Sequence, residues 1–211
     1  MMQSRRGFLR TCIFACSAFM FGKWAFGKVF DPFPWDAGLN NLDPGLPIIP
    51  RSDWNTLKPV LSRLNHASDF SRLTVHHAGN MVNTHIYRNS VLRDLKGILG
   101  AHLRNNYGDI GYHFIVDYAG RVWEGRPLFY EGAHVSGQNI ENIGVMLLGN
   151  FEKQQPAPAQ VASLFKLVNA LTKKYSISKD SIYGHCDLGQ SICPGKHLYE
   201  PYVSQLKLTT A

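Results

Sequence analysis

The residues best equipped for chemistry lie in one stretch, Tyr183-Gly184-His185-Cys186-Asp187-Leu188-Gly189-Gln190-Ser191-Ile192-Cys193-Pro194-Gly195. His185 and Cys193 stand eight positions apart, in a glycine- and proline-punctuated loop that follows a short apolar run. An imidazole and a thiolate are the ligand pair zinc prefers. Two donors do not complete a site, and a third is available from His76-His77, at the end of the apolar run Leu73-Thr74-Val75. Either ring could leave that strand on the metal side. Three protein ligands with one open position make a catalytic zinc, whereas a structural zinc wants four. Cys186 would be the fourth, but it directly follows His185, and neighbours on an extended segment point to opposite sides. A Cys186–Cys193 disulfide is the competing use of the same two residues, and it would withdraw the thiolate from any metal.

The elements that must position these residues can be read from periodicity. Leu73 to His76 reads as a buried strand. From about Asn83 to Asn105, apolar residues at mixed spacings of three and four predict an amphipathic helix. Tyr112 to Asp117 follows as a strand, turns at Tyr118-Ala119-Gly120, and returns through Val122 and Trp123. Ile143 to Leu148 is apolar throughout, which predicts a central strand buried on both faces. A second amphipathic helix runs from Pro156 to Tyr175, and Ser181-Ile182-Tyr183 is a last short strand leading into the cysteine loop. Helices alternating with strands predict an α/β fold, a central mixed β-sheet flanked by helices in a single domain. Both ligand segments then lie at strand ends, where open α/β sheets place their sites.

The chain has 211 residues, of which 1–27 read as a twin-arginine signal peptide. Ser4-Arg5-Arg6-Gly7-Phe8-Leu9-Arg10 precedes an apolar core too short to span a membrane, with Ala25-Phe26-Gly27 as a cleavage site. Export to the periplasm or cell envelope is the expectation, with no stable membrane association after cleavage. Residues 28–49 are rich in Pro, Gly and Asn and read as a linker or arm, leaving 50–207 as the working domain. The formal charge of +7 owes much to the signal: without Arg5, Arg6, Arg10 and Lys23, 18 basic residues face 15 acidic ones, a balance of +3. That offers no electrostatic case for nucleic acid. It suits an anionic polymer such as a cell wall without selecting it.

A series of short motifs occurs in one order: Arg51-Ser52-Asp53-Trp54, Val75-His76-His77, Asp109-Ile110-Gly111-Tyr112-His113-Phe114, Gly120-Arg121-Val122-Trp123-Glu124-Gly125-Arg126, Gly132-Ala133-His134, Asn142-Ile143-Gly144-Val145, then Gly184-His185 through Cys193-Pro194-Gly195. Over about residues 49–203 the series resembles the type 2 N-acetylmuramoyl-L-alanine amidases, whose relatives include the animal peptidoglycan recognition proteins. The resemblance implies His76, His185 and Cys193 as zinc ligands, with His77 a packed neighbour or substrate contact. It implies Tyr112 beside the metal as a hydrogen-bond donor to an oxyanion, and His134 as a substrate-groove residue. Active relatives carry lysine or threonine two residues before the cysteine ligand; here Ser191 keeps a hydroxyl without the charge. His102 is expected to pack against the site, and Trp54 and Trp123, which could stack on sugar rings, to be core residues. Arg126 stays unassigned between a peptide carboxylate and a surface salt bridge.

The implied reaction is hydrolysis of the amide between the lactyl group of muramic acid and the L-alanine of the stem peptide, on peptidoglycan or muropeptides. No HExxH glutamate is present, so water, Tyr112 and Glu124 stand open as proton carriers. The alternative is a peptidoglycan-binding module without catalysis. Non-catalytic relatives typically lack the cysteine ligand, which Cys193 supplies here.

Overall fold

A computed structural model describes residues 42–208. The export segment, its cleavage site and most of the 28–49 arm lie outside the described residues. Six strands make one sheet: β1 (Ile48–Ile49), β2 (Arg72–His77), β3 (Phe114–Val116), β4 (Val122–Glu124), β5 (Asn142–Leu147) and β6 (Ile182–Gly184). Their order is β1-β4-β3-β5-β2-β6. The β3–β4 hairpin is antiparallel and the other pairs are parallel, so the sheet is mixed. β5 lies between β3 and β2, which accounts for its unbroken apolar sequence.

Strand alternation decides what each face meets. On one face Leu73, Val75, Ile143 and Val145 pack on Leu164, Leu167, Val168 and Leu171 of α2 (Pro158–Tyr175). On the other, Ile115, Trp123 and Met146 pack on Val91, Leu95 and Leu99 of α1 (Arg88–Arg104). Each fully buried aliphatic side chain contributes about 1.5–3 kcal/mol relative to exposure. The same alternation makes His76 and His77 leave β2 on opposite faces.

The two helices begin for different reasons. Pro158 sits in the first turn of α2, where its missing N–H costs nothing. Gln160 then accepts the Ala157 N–H at 3.2 Å and donates to the Leu148 carbonyl at 3.0 Å, fixing the helix to the end of β5. α1 starts at Arg88, five residues after the point periodicity indicates. Side chains hold the intervening segment out of the helix: Asn83 accepts the His85 N–H and donates to Asp94, while Arg121 binds the Ile86 carbonyl. Such local bonds compete with the helical ladder.

Within the described part of the arm, Leu46 joins the α2-side core and β1 pairs with β4. Arg51 follows, buried, with its guanidinium 2.7 Å from Asp109 and 3.0 Å from the Gly125 carbonyl. Arg126 is also buried and donates to the carbonyls of Tyr107, Ile110 and Glu131. These two cations brace the 107–111 loop immediately ahead of Tyr112. Trp54 and Trp123 are core residues, and their indole N–H groups donate to the Glu124 carbonyl and to Asp117.

Candidate metal centre

β2 and β6 are adjacent and parallel, so both deliver residues to the same end of the sheet. β2 ends at His76-His77, and β6 runs directly into the short helix α3 (His185–Leu188). The loop beyond α3 turns back, with the Cys186 N–H donating to the Cys193 carbonyl at 2.8 Å. Gly195 permits this closure: its φ is 91°, and a Cβ there would lie 2.5 Å from the Phe151 backbone carbon. The outcome is one cluster, with ligand atoms of His76, His185 and Cys193 all within 4.8 Å of one another.

Each donor carries its own support. His76 is 1% exposed; its Nδ1 lies 3.7 Å from Cys193 Sγ and its Nε2 lies 3.0 Å from His134 Nδ1. Burial, then the neighbouring imidazoles of His134, His185 and His77, hold its pKa well below the ordinary histidine value. Burial also lowers that of half-buried His185. Both rings are therefore neutral, as ligands must be. Burial pushes the Cys193 thiol up to about 12, against the pull of the His77 N–H, which donates to Sγ at 3.3 Å. Two neutral imidazoles and one thiol are a donor set that fits zinc, which would displace the thiol proton on binding.

His77 is not part of the cluster. Its ring packs near Phe151 on the α2 face, and its Nδ1 accepts the Phe151 N–H at 3.2 Å. A substrate contact of that ring finds no support in this placement; the backbone of His77, through Sγ, is what reaches the site. Cys186 is also outside the cluster, and Cys186 and Cys193 are both free thiols. The reason differs from the sequence argument, because residue 186 lies in the first turn of α3 and not on an extended segment.

Tyr112 is partly buried, with its ring centroid 5.2 Å from that of His76. Burial, reinforced by Cys193, raises its phenol pKa, so it stays a donor at working pH. Ser191 Oγ accepts the Cys193 N–H at 3.1 Å. His102 accepts the Gly111 N–H at 2.9 Å, fixing the approach to Tyr112. Glu124 is buried in β4 and accepts the Arg51 N–H, which anchors the start of the domain to the sheet. A cavity of about 370 Å³ lies beside Tyr112, lined by Asn80, Asn83, Asp94 and His102. Another of about 430 Å³ is lined by Tyr107, His134, Ser136, Asn139 and His185.

The resemblance implies a groove position for His134, and its surroundings are these. It lines the second cavity, yet it is 9% exposed and both its nitrogens are engaged, Nδ1 with His76 and Nε2 with the Asn142 carbonyl at 3.0 Å. Sequence reasoning also passed over His113, fully buried, which accepts the Gly144 N–H and donates to the Tyr130 carbonyl. The signal was there in a histidine directly beside Tyr112 on an apolar strand.

The profile of the N-acetylmuramoyl-L-alanine amidase family matches residues 66–196. Peptidoglycan-recognition protein SC2 of Drosophila simulans is 31% identical over 158 residues, covering 74% of this chain and 84% of that protein. The solved N-acetylmuramoyl-L-alanine amidase LysC of Clostridium intestinale URNW superposes with a TM-score of 0.64 at 25% identity, covering 78% of this chain and 99% of that one. Peptidoglycan recognition protein-LE, solved with tracheal cytotoxin, a monomeric diaminopimelic acid-type peptidoglycan, does so with a TM-score of 0.65 at 27% identity, covering 72% and 90%. Extending over nearly the whole sheet and the strand ends that gather the three donors, this likeness makes the chain a member of the type 2 N-acetylmuramoyl-L-alanine amidase family, which amidases share with recognition proteins.

Proposed function

We propose that the chain is a zinc-dependent N-acetylmuramoyl-L-alanine amidase, cleaving the amide between muramic acid's lactyl group and the stem peptide's L-alanine. The observation that carries this reading is the complete donor triad, His76, His185 and Cys193, gathered at one end of the sheet. A recognition module has no use for a buried cysteine held beside two neutral histidines. The relative solved with a muropeptide supports peptidoglycan fragments as the substrate class.

Zinc held by these three residues would supply Lewis acidity to the scissile carbonyl and to an attacking water. Tyr112, held protonated by burial, donates a hydrogen bond to the oxygen where negative charge develops. Ser191 accepts the Cys193 N–H, which leaves its hydroxyl hydrogen free to donate to substrate. Tyr112 lines one cavity and His185 the other, which leaves room for a substrate beside each residue. The twin-arginine segment supports a cell-envelope location, where that polymer lies.

Metal content and stem-peptide release from sacculi and from soluble muropeptides, measured on one purified sample, test the proposal. The expected result is one zinc per chain and free stem peptide, both lost on chelation and restored by zinc. Peptidoglycan binding without release from either substrate, in zinc-loaded protein, would replace the amidase by a recognition module.

A further inference from the structure

We infer that His134 is a positioning residue for the metal centre: it sets the tautomer of His76 and so aims the lone pair of Nδ1 at the site. The inference rests on the zinc reading, and its chemistry starts from a backbone carbonyl. Asn142 C=O can only accept, so the His134 Nε2 facing it at 3.0 Å carries the ring's proton. Nδ1 of the neutral His134 is then a bare acceptor, 3.0 Å from His76 Nε2. That nitrogen must donate, which leaves Nδ1 of the neutral His76 without a proton, 3.7 Å from Cys193 Sγ. One carbonyl thereby fixes the proton on two rings in succession. Asn142 is itself anchored, its side chain donating to the Gln138 carbonyl and its Oδ1 accepting from Thr74, two residues before His76.

A second, independent feature is the slot that holds the His134 ring. A Cβ on Gly132 would lie 2.3 Å from His134 Cδ2 and 2.6 Å from its Nε2. A Cβ on Gly144 would lie 2.5 Å from the same Cδ2. Two glycines on separate segments thus clear space for one imidazole. The ring is further seated by the Asn139 side chain, which accepts the N–H groups of His134 and Val135 at 2.9 Å. A groove histidine that only touched substrate would need neither the slot nor an engaged nitrogen at each end. Partners of this kind typically change metal affinity by roughly 10- to 100-fold.

The test is a zinc competition titration against a chromophoric chelator, on the full chain and on His134→Phe, His134→Asn and Gly132→Ala, with imidazole nitrogen NMR on the metal-free wild type. NMR should show His76 protonated at Nε2 and bare at Nδ1. His134→Phe should weaken zinc binding by on the order of 10- to 100-fold. His134→Asn, whose Oδ1 can take the place of Nδ1, should recover part of that loss. Gly132→Ala, which displaces the ring and removes no polar group, should weaken binding in the same direction. His76 protonated at Nδ1, or a His134→Phe protein that folds and keeps wild-type affinity, would overturn the inference. A wild type that binds no zinc would instead refute the metal reading, and the NMR result would still decide the relay.

Discussion

The two halves of the candidate metal centre are built by different means. His76 comes from the interior of the sheet, on a strand hydrogen-bonded on both sides, to β5 over six residues and to β6 over three. Its ring is held from behind by a second buried histidine. His185 and Cys193 come from the turns after β6, where order depends on short hydrogen bonds within the loop and on docking against residues 151–152. Cys193 Sγ ties the halves directly: the His77 N–H donates to it at 3.3 Å, and it lies 3.7 Å from His76 Nδ1 and 4.0 Å from the His77 carbonyl. The strand half is therefore set by the fold alone, while the loop half would have a bound metal as its strongest fastening. Zinc binding should tighten residues 185–195 more than residues 73–77.

The largest test of this contrast removes the loop half's soft donor. Cys193→Ser should abolish zinc retention and stem-peptide release together while the thermal unfolding of the metal-free protein shifts little. The sheet does not depend on that thiol. A large loss of stability in the metal-free state would show that the loop half is structural after all. Next in size is Tyr112→Phe, on the strand side. It keeps the ring and its packing, removes the hydroxyl, and should lower kcat by about 10²- to 10³-fold with zinc content unchanged, the usual cost of one oxyanion donor. A rise in KM at constant kcat would make Tyr112 a binding residue instead.

The strand half also has a pH signature independent of metal. Burial holds His113 down to about 4, against 6.5 for a free imidazole. The unfolded chain then binds more protons than the folded one between those values, so the folded-state advantage is complete above about pH 6.5 and is lost as pH falls toward 4. For a fully buried ring this is at most ~3 kcal/mol. Urea unfolding at pH 7, 5.5 and 4 should show the decline, and His113→Gln should be less stable at pH 7 but lose less on acidification. An unchanged slope in the variant would mean that His113 is not a source of acid sensitivity.

How much of this could be read from the chain follows the same division. The strand half was legible because periodicity is a local property: the apolar runs around Leu73 and Ile143 identified β2 and β5, although the residues alone left the choice between His76 and His77 open. What stayed hidden was tertiary. Nothing in the spacing of Gly132, His134, Asn142 and Gly144 says that two glycines clear a slot for one ring or that a carbonyl selects its tautomer. The start of α1 was misjudged for a related reason, since Asn83 and Arg121 draw residues 83–87 away from a helix that their apolar spacing favours. The buried Arg51–Asp109 pair was likewise invisible, because its members are 58 positions apart and only the packed loop brings them together.

The smallest effect concerns Ser191, two residues before Cys193 in the loop half. Its oxygen accepts the Cys193 N–H, so Ser191→Ala removes one hydrogen bond from the turn that presents the thiol. Such a bond is worth about 0.5–1.5 kcal/mol, which caps the loss in zinc affinity near tenfold. If Ser191 only shapes the turn, kcat in the zinc-loaded variant should match the wild type. If its hydroxyl also donates to the reacting amide, kcat should fall in saturated zinc, and Ser191→Thr should restore it because the donor and the acceptor are both retained. Measuring kcat and zinc affinity on the same three proteins separates the two roles. A kcat that fell only in step with zinc occupancy would remove Ser191 from the proposed catalytic group, in which Tyr112 would remain as the oxyanion donor.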